Sequence, residues 1–263
     1  MLDKYKDIAV LVLSCDKYSD MWEPFGQAFK RNFPRLGLKV YLGANIKDPN
    51  LDWAVVVNSG NDLDWSTSYR KILEQIPEKY LLVFLEDLLL INKIDSGVLT
   101  EVLDFALENN ALHIRFWASP RPNQHTSSKH VGMSSNGYPF TTTVCGLWDR
   151  KRLLQILIDG ENPWMFEIMG SYRSQYYGSV YSTWEPICEY LNMIEKGRWI
   201  PRSLNLALKN RYLLDVHARK NRRGFDAILC NLRIAYYNTL FKCIPQKIRL
   251  FIMNFLRKIL GCY

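Results

Sequence analysis

Apolar residues recur along this chain in two patterns. Ile8–Ser14, Leu38–Leu42, Trp53–Asn58, Tyr80–Leu85 and Ala111–Phe116 are short runs rich in aliphatic and aromatic residues, the mark of strands covered on both faces. Between several of them, Trp22–Asn32, Ser66–Gln75 and Ser96–Asn109 carry apolar residues at helical spacing. Strand and helix alternate, and that alternation predicts an α/β fold: a mixed, mostly parallel sheet sandwiched by helices, with ligands bound beyond the carboxyl ends of the strands. After Pro139, TTTVCGLWDRKRLLQIL predicts a short strand and a helix, ENPWMFEIMGSYRSQY a second helix, and EKGRWI a hairpin or strand edge. This later half would form the far wall of the crevice.

One run departs from the pattern. YLLVFLEDLLLI, residues 80–91, holds Glu86 and Asp87 in the middle of an otherwise apolar stretch. Two acids at the end of a buried strand fit a hard cation such as Mg²⁺ or Mn²⁺ bridging nucleotide phosphates. They also fit a chain turn whose carboxylates bond backbone N–H groups. In LVLSCDKYSDMWEPF, Ser14 and Asp16 follow the first strand and suit either nucleotide contacts or caps for the next helix. DLDWSTSYRKILEQI places Ser66 at a helix start and Arg70 one turn on, a pair able to bind a phosphate or base edge, or else a cap and a solvated arginine.

NPWMFE ends at Glu167. Apolar neighbours raise a carboxyl pKa towards that of a general base, while an acid near a helix start also balances the helix dipole. On the same wall Trp148, Trp164, Phe166 and Arg173 are the candidate contacts for a sugar acceptor, with Trp164 and Phe166 suited to stack on its apolar face. His113, His125, His130 and His217 show no ligand spacing, and His217 is a weak candidate for a third metal contact.

The net charge of +8 belongs to the end of the chain: residues 209–263 carry 12 Lys/Arg against 2 Asp, a net of +10. The division this suggests is residues 1–208 as the catalytic domain and 209–263 as a basic helical appendage. From Ile248 to Leu260 most positions are apolar, with Lys247, Asn254 and Lys258 on one stripe and Arg249 off it. Such a helix suits an anionic membrane surface, or burial against the core or a second subunit. Nucleic acid is disfavoured, since the charge comes without a recognisable binding motif and with high apolar content. Six scattered cysteines without CxxC pairs argue against a zinc site or a disulfide framework and suit a reducing cytosol. The first apolar run is too short, and too soon followed by charge, for a signal peptide or span.

Taken in order, LVLSCDKYSDMWEPF, DWSTSYRKILEQIPEKYLLVFLEDLLL, FTTTVCGLWDRKRLL and NPWMFEIMGSYRS resemble bacterial sugar-nucleotide-dependent glycosyltransferases of the GT-A type that build surface polysaccharides such as O-antigen and capsule. The resemblance covers roughly residues 7–200. It implies nucleotide contacts from Ser14, Asp16 and Tyr18, with Ser66 and Arg70 beside them. It puts Asp87, supported by Glu86, where the family has its DxD motif, and makes Glu167 the base candidate of an inverting transfer, the alternatives being a retaining transferase, a sugar nucleotidyltransferase, or a non-catalytic membrane-associated nucleotide- or carbohydrate-binding protein. Here the motif reads Glu-Asp-Leu, so Mn²⁺ or Mg²⁺ dependence stays open against metal-independent chemistry. The implied partners are a nucleotide-sugar donor and a glycan or lipid-linked oligosaccharide acceptor. The implied location is cytoplasmic, peripheral on the inner face of the cell membrane.

Overall fold

The structure is a computed structural model that describes residues 4–117, 121–133 and 145–222, together with Ile248 and Phe251. The chain divides into two compact units, Met1–Leu191 with Tyr212–Leu214, and Asn192–Arg211 with Asp215–Tyr263.

In the first unit the strands β1 (Ile8–Leu13), β2 (Lys39–Ala44) and β3 (Val55–Asn58) are joined through α1 (Trp22–Asn32), and α2 (Trp65–Gln75) leads on to β4 (Tyr80–Leu85). There follow β5 (Leu88–Leu90), α3 (Ser96–Glu108), β6 (His113–Arg115), β7 (Gln124–His125), β8 (Val131–Met133), β9 (Gly146–Asp149) and α4 (Arg150–Ile156). Then come α5 (Pro163–Met165), a π-helical turn at Phe166–Gly170, α6 (Ser171–Ser174), β10 (Val180–Thr183) and β11 (Tyr190–Asn192). Among the described residues nine strands form one sheet in the order β3-β2-β1-β4-β9-β6-β10-β8-β7. Parallel pairing holds within β3-β2-β1-β4 and between β6 and β10, while β9 and β8 run against their neighbours. The mixed, mostly parallel sheet read from the sequence is therefore present. The insertion of antiparallel β9 between β4 and β6 is not visible in the sequence.

All six residues of β1 are buried, and β4 is buried up to Phe84, as a strand covered on both faces must be. From α1, Phe25 and Phe29 meet Phe84 of β4 at centroid distances of 6.3 and 5.9 Å. The α2 helix packs closely on β2, where a Cβ at Gly43 would stand 2.7 Å from Ile72 Cδ1. Helix α2 starts on the Asp64 carboxylate, which accepts from Thr67 N–H at 2.8 Å, and α3 starts on Asp95, which accepts from Val98 N–H at 3.0 Å. The backbone bonds hold the Asp64 carboxyl down at about 2.

The second unit contains a hairpin, β12 (Ile194–Glu195) and β13 (Arg198–Trp199), and α7 (Pro201–Lys209). Lys196 and Gly197 turn the hairpin with φ of 51° and 72°, the two-residue turn in which both central residues need positive φ. Trp199 is buried, and the Arg222–Glu195 ion pair lies beside this hairpin. The expected membrane-facing helix falls on residues of which Ile248 and Phe251 are described, both exposed. Among the described residues no helix is long and apolar enough to cross a membrane.

Candidate functional site

Strands β1, β4, β6 and β10 share one direction, so Ser14, Glu86, Phe116 and Trp184 follow their carboxyl ends along one rim. The reversed strand β9 starts at that same rim, which sets Cys145 between the ends of β4 and β6. The strand order reverses between β1 and β4, the place where open α/β sheets bind ligands.

At the end of β1 the chain folds back on itself. Ser14 Oγ accepts from Trp22 Nε1 at 2.7 Å. Asp16 accepts at 3.0–3.3 Å from the N–H groups of Asn45, Ile46 and Lys47, and its own N–H donates to Asn45 Oδ1 at 3.0 Å. Asp16 thus ties the β1 loop to the β2 loop and caps no helix. Tyr18 sits at a kink in the 3₁₀ turn Asp16–Met21, with φ −109° and ψ 16°. Beside this loop lies a groove of about 470 Å³ lined in part by Ser19, Trp22, Lys47 and Asp48. It contains neither Asp87 nor Glu167.

The acids of the 80–91 run occupy a two-residue turn. Pairing of β1 with β4 ends at Leu13 and Leu85, and after the turn β5 leaves the main sheet for a separate two-stranded ribbon with β11. Glu86 is buried and Asp87 partly exposed. Burial first, and the Glu86 charge second, push the Cys15 thiol above its ordinary pKa, so the ends of β1 and β4 share one electrostatic environment.

Glu167 lies in the π-helical turn, between α5, started by Asn162 accepting from Met165 N–H at 2.9 Å, and α6. The wider turn re-aims side chains relative to an α-helix and recurs at functional sites. Ser171 Oγ donates to the Glu167 carbonyl. Both acids act electrostatically on Tyr190. Burial, then the charges of Cys145, Cys188, Glu167 and Asp87, all raise its phenol pKa. Asp87 and Glu167, 80 residues apart in sequence, are therefore both within electrostatic reach of one hydroxyl.

Several expected contacts are committed elsewhere. Ser66 is fully buried, donating to Asp64 Oδ1 at 2.9 Å and accepting from Glu161 N–H at 3.0 Å. Arg70 donates to the carbonyls of Leu154 and Leu157 at 3.0 and 2.6 Å and to Asp159 at 2.7 Å. Arg173 donates to the Ile156 carbonyl at 2.8 Å and grips Glu161 at 2.9 and 2.6 Å. Both arginines thus satisfy the carbonyls left over at the end of α4, where a cation also suits the helix dipole.

The aromatic expectations divide by burial. Trp148 stacks on His113 at 3.7 Å and is 2% exposed, and Phe166 is 1% exposed against Trp65 at 5.4 Å. These two rings fill the core and offer no face to an acceptor: Trp148 stands on the central strand β9 and Phe166 on the π-helical turn, and both are buried. Trp164, by contrast, is 73% exposed. His217 is exposed, with its backbone N–H on Asp215 at 2.9 Å. Among the described residues no three His, Cys, Asp or Glu side chains gather as a metal cluster. Mg²⁺ needs no such cage, since one or two carboxylates plus substrate phosphates commonly hold it, and the Glu86–Asp87 turn supplies carboxylates of that kind.

Two residues at this rim carried no signal that singled them out. Trp117 follows β6, and its ring lies 5.5 Å from that of Tyr190. Beneath them Cys145 and Cys188 are both buried, with their sulfurs 2.8 Å apart. An aromatic directly after a predicted strand, as in HIRFW, was the available clue.

No protein-family model matches the chain, and no curated protein matches it. Among solved structures, Staphylococcus aureus TarS 1-349 superposes over 77% of this chain and 63% of its own, with 11% identity and a TM-score of 0.45. In complex with UDP-GlcNAc the same protein matches over 80% and 68%, at 11% identity and a TM-score of 0.49. The UDP-glucose pyrophosphorylase from Acinetobacter baumanii matches over 87% of this chain and 99% of its own, at 10% identity and a TM-score of 0.49. This chain therefore spans less than two thirds of the first of these structures.

Proposed function

We propose that this protein is a glycosyltransferase of the GT-A type, moving a sugar from a nucleotide-sugar donor to a hydroxyl of a glycan acceptor with inversion. The observation that supports it is the acidic turn Glu86–Asp87 at the carboxyl end of β4, beside the point where the strand order reverses, with the charges of both Asp87 and Glu167 acting on the Tyr190 phenol. In this reading the donor nucleotide lies against the β1 loop near Tyr18, and its diphosphate faces Asp87. Glu167 takes the proton from the acceptor hydroxyl as that oxygen attacks the anomeric carbon and the bond to the diphosphate breaks. A Mg²⁺ or Mn²⁺ ion on Asp87, with Glu86 beside it, would supply charge neutralisation for the departing diphosphate. Arg70 is not needed in this role, since it is held at the end of α4.

The biological setting we assign is assembly of a bacterial surface polysaccharide on a lipid-linked acceptor, with the basic segment after residue 209 on the anionic inner leaflet. Removing residues 230–263 should then abolish co-sedimentation with phosphatidylglycerol vesicles; unchanged sedimentation would remove the membrane from the proposal. The activity itself is tested by incubating the protein with UDP-, GDP- and dTDP-sugars, with and without Mn²⁺, and measuring nucleoside diphosphate release. Release from one donor should fall at least a hundredfold in Glu167→Gln and Asp87→Asn, the scale of losing a positioned proton acceptor or charge partner. Release unaffected by both substitutions places the chemistry elsewhere.

A further inference from the structure

The rim beyond Asp87 carries an aromatic surface that the acid–base reading leaves without a role. Strand β9 separates β4 from β6, so the residues after those two strands stand two strand spacings apart, about 10 Å. Trp117 occupies the far side of that interval. Its carbonyl accepts from Ser182 Oγ at 3.1 Å, which fixes its backbone beside β10. Tyr190 is pinned from two directions. Ile187 N–H donates to the Phe116 carbonyl at 3.2 Å, and Ile91 N–H donates to the Glu189 carbonyl at 3.1 Å. These bonds hold the segment 187–190 between the end of β6 and the end of β5. The rings of Trp117 and Tyr190 are in contact, with centroids 5.5 Å apart and planes tilted by 43°, and are not stacked face to face. Both side chains are partly exposed, unlike Trp148 and Phe166.

We propose that Trp117 and Tyr190 form a sugar-binding platform, which takes the apolar C–H face of a hexopyranose while the Tyr190 hydroxyl bonds to one of its oxygens. This deepens the transferase reading and rests on it for the ring's orientation towards Asp87 and Glu167. The physical case is that an aromatic face attracts the polarised C–H groups of a pyranose, and a rigid aromatic loses little conformational entropy on binding. Burial above all raises the Tyr190 phenol pKa, so the phenol keeps its proton and can donate a hydrogen bond to a sugar oxygen across the neutral range. The sugar held can be the donor's or the acceptor's. The chemistry is the same, and the two sources separate by experiment.

In the donor arm, UDP-glucose, UDP-GlcNAc and GDP-mannose are titrated calorimetrically against UDP and GDP. In the acceptor arm, methyl glucosides and methyl galactosides are examined by saturation-transfer NMR. A platform for the donor sugar gives a nucleotide sugar at least tenfold tighter than its nucleoside diphosphate, and Trp117→Leu abolishes that difference while Trp117→Phe retains most of it. A platform for the acceptor leaves the donor difference alone, and Trp117→Leu loses the saturation of one glycoside face. Tyr190→Phe should weaken either signal several-fold without removing it. Wild-type protein with neither signal, or Trp117→Leu with both signals unchanged, overturns the platform. Should Trp117→Leu fail to unfold cooperatively, Trp117→Phe and Tyr190→Phe decide: two wild-type profiles overturn the platform. The two readings fail separately. Nucleotide release with intact sugar signals in every variant leaves the transferase and removes the platform, and lost sugar signals without any release do the reverse.

Discussion

Arg70 separates a phosphate contact from a structural clamp, and the two roles respond differently to substitution by lysine. The guanidinium spans the end of α4, with Nη1 on the Leu154 carbonyl, Nη2 on the Leu157 carbonyl and Nε on Asp159. Leu157 is buried, so its carbonyl has little access to replacement water. Each of the two carbonyls left without a donor costs about 1 kcal/mol. The Asp159 side chain is 59% exposed, and an ion pair of that exposure adds up to about 1 kcal/mol. Arg70→Met should therefore destabilise the fold by about 2–3 kcal/mol. With a urea dependence near about 3 kcal/mol per M for a chain of this size, the unfolding midpoint falls by about 1 M. Arg70→Lys keeps the charge but replaces a planar fork by a single ammonium, which cannot span three acceptors, so most of the loss should persist. Urea titration followed by tryptophan fluorescence measures the stability, and calorimetry at 15 °C measures nucleoside diphosphate affinity. A lysine variant of wild-type stability whose nucleotide affinity drops tenfold would refute the clamp and return Arg70 to the phosphate.

Three further outcomes follow from the same geometry. Glu86→Gln should lower the Cys15 thiol pKa by removing a neighbouring negative charge, so Cys15 alkylation by iodoacetamide at pH 8, read by mass spectrometry, becomes faster; an unchanged rate would separate the ends of β1 and β4. His113 is held neutral by burial, its pKa lowered from 6.5 to about 3, and Nδ1–H donates to the Leu147 carbonyl at 2.8 Å. Because the unfolded chain takes up that proton first, His113 contributes stability above pH 6.5 that is lost as the pH falls towards 3; His113→Phe should flatten the acid limb of a stability–pH curve by about one proton. Gly146→Ala should cost about 1–3 kcal/mol in urea unfolding, since its Cβ would stand 2.8 Å from both His113 Cε1 and the Ile114 carbonyl oxygen; stability within about 0.5 kcal/mol of wild type would contradict the close approach of β9 to its neighbour β6.

The sequence pattern reaches far into this fold. Tyr80–Leu85 and Trp22–Asn32 fall at the predicted boundaries, because a continuous apolar run between turn residues and an amphipathic run at 3.6-residue spacing are local properties. The hairpin in EKGRW follows equally from Lys-Gly between two short apolar segments. Local pattern misleads where a residue type serves two purposes. Trp148 and Phe166 look like acceptor contacts in sequence, yet both rings are buried and fill the core. Arg70 looks like a phosphate contact and Arg173 like an acceptor contact, yet the end of α4 needs donors for its carbonyls and takes both. ENPWMFEIMG reads as part of one helix, and the wider turn that carries Glu167 has no mark in the apolar spacing of the segment.

What the sequence alone determined was the list of elements and the existence of acids at a strand end, since both are written in hydrophobic period and in the cost of burying charge. What tertiary structure decided was who meets whom. Strand β9 enters between β4 and β6 from more than 30 residues away, and β11 comes beside β5 from about 100 residues away, so no local period encodes either pairing. Those two long-range pairings bring Trp117 and Tyr190 together beyond the ends of β4 and β6, because strand register is a property of the whole sheet and not of any segment within it.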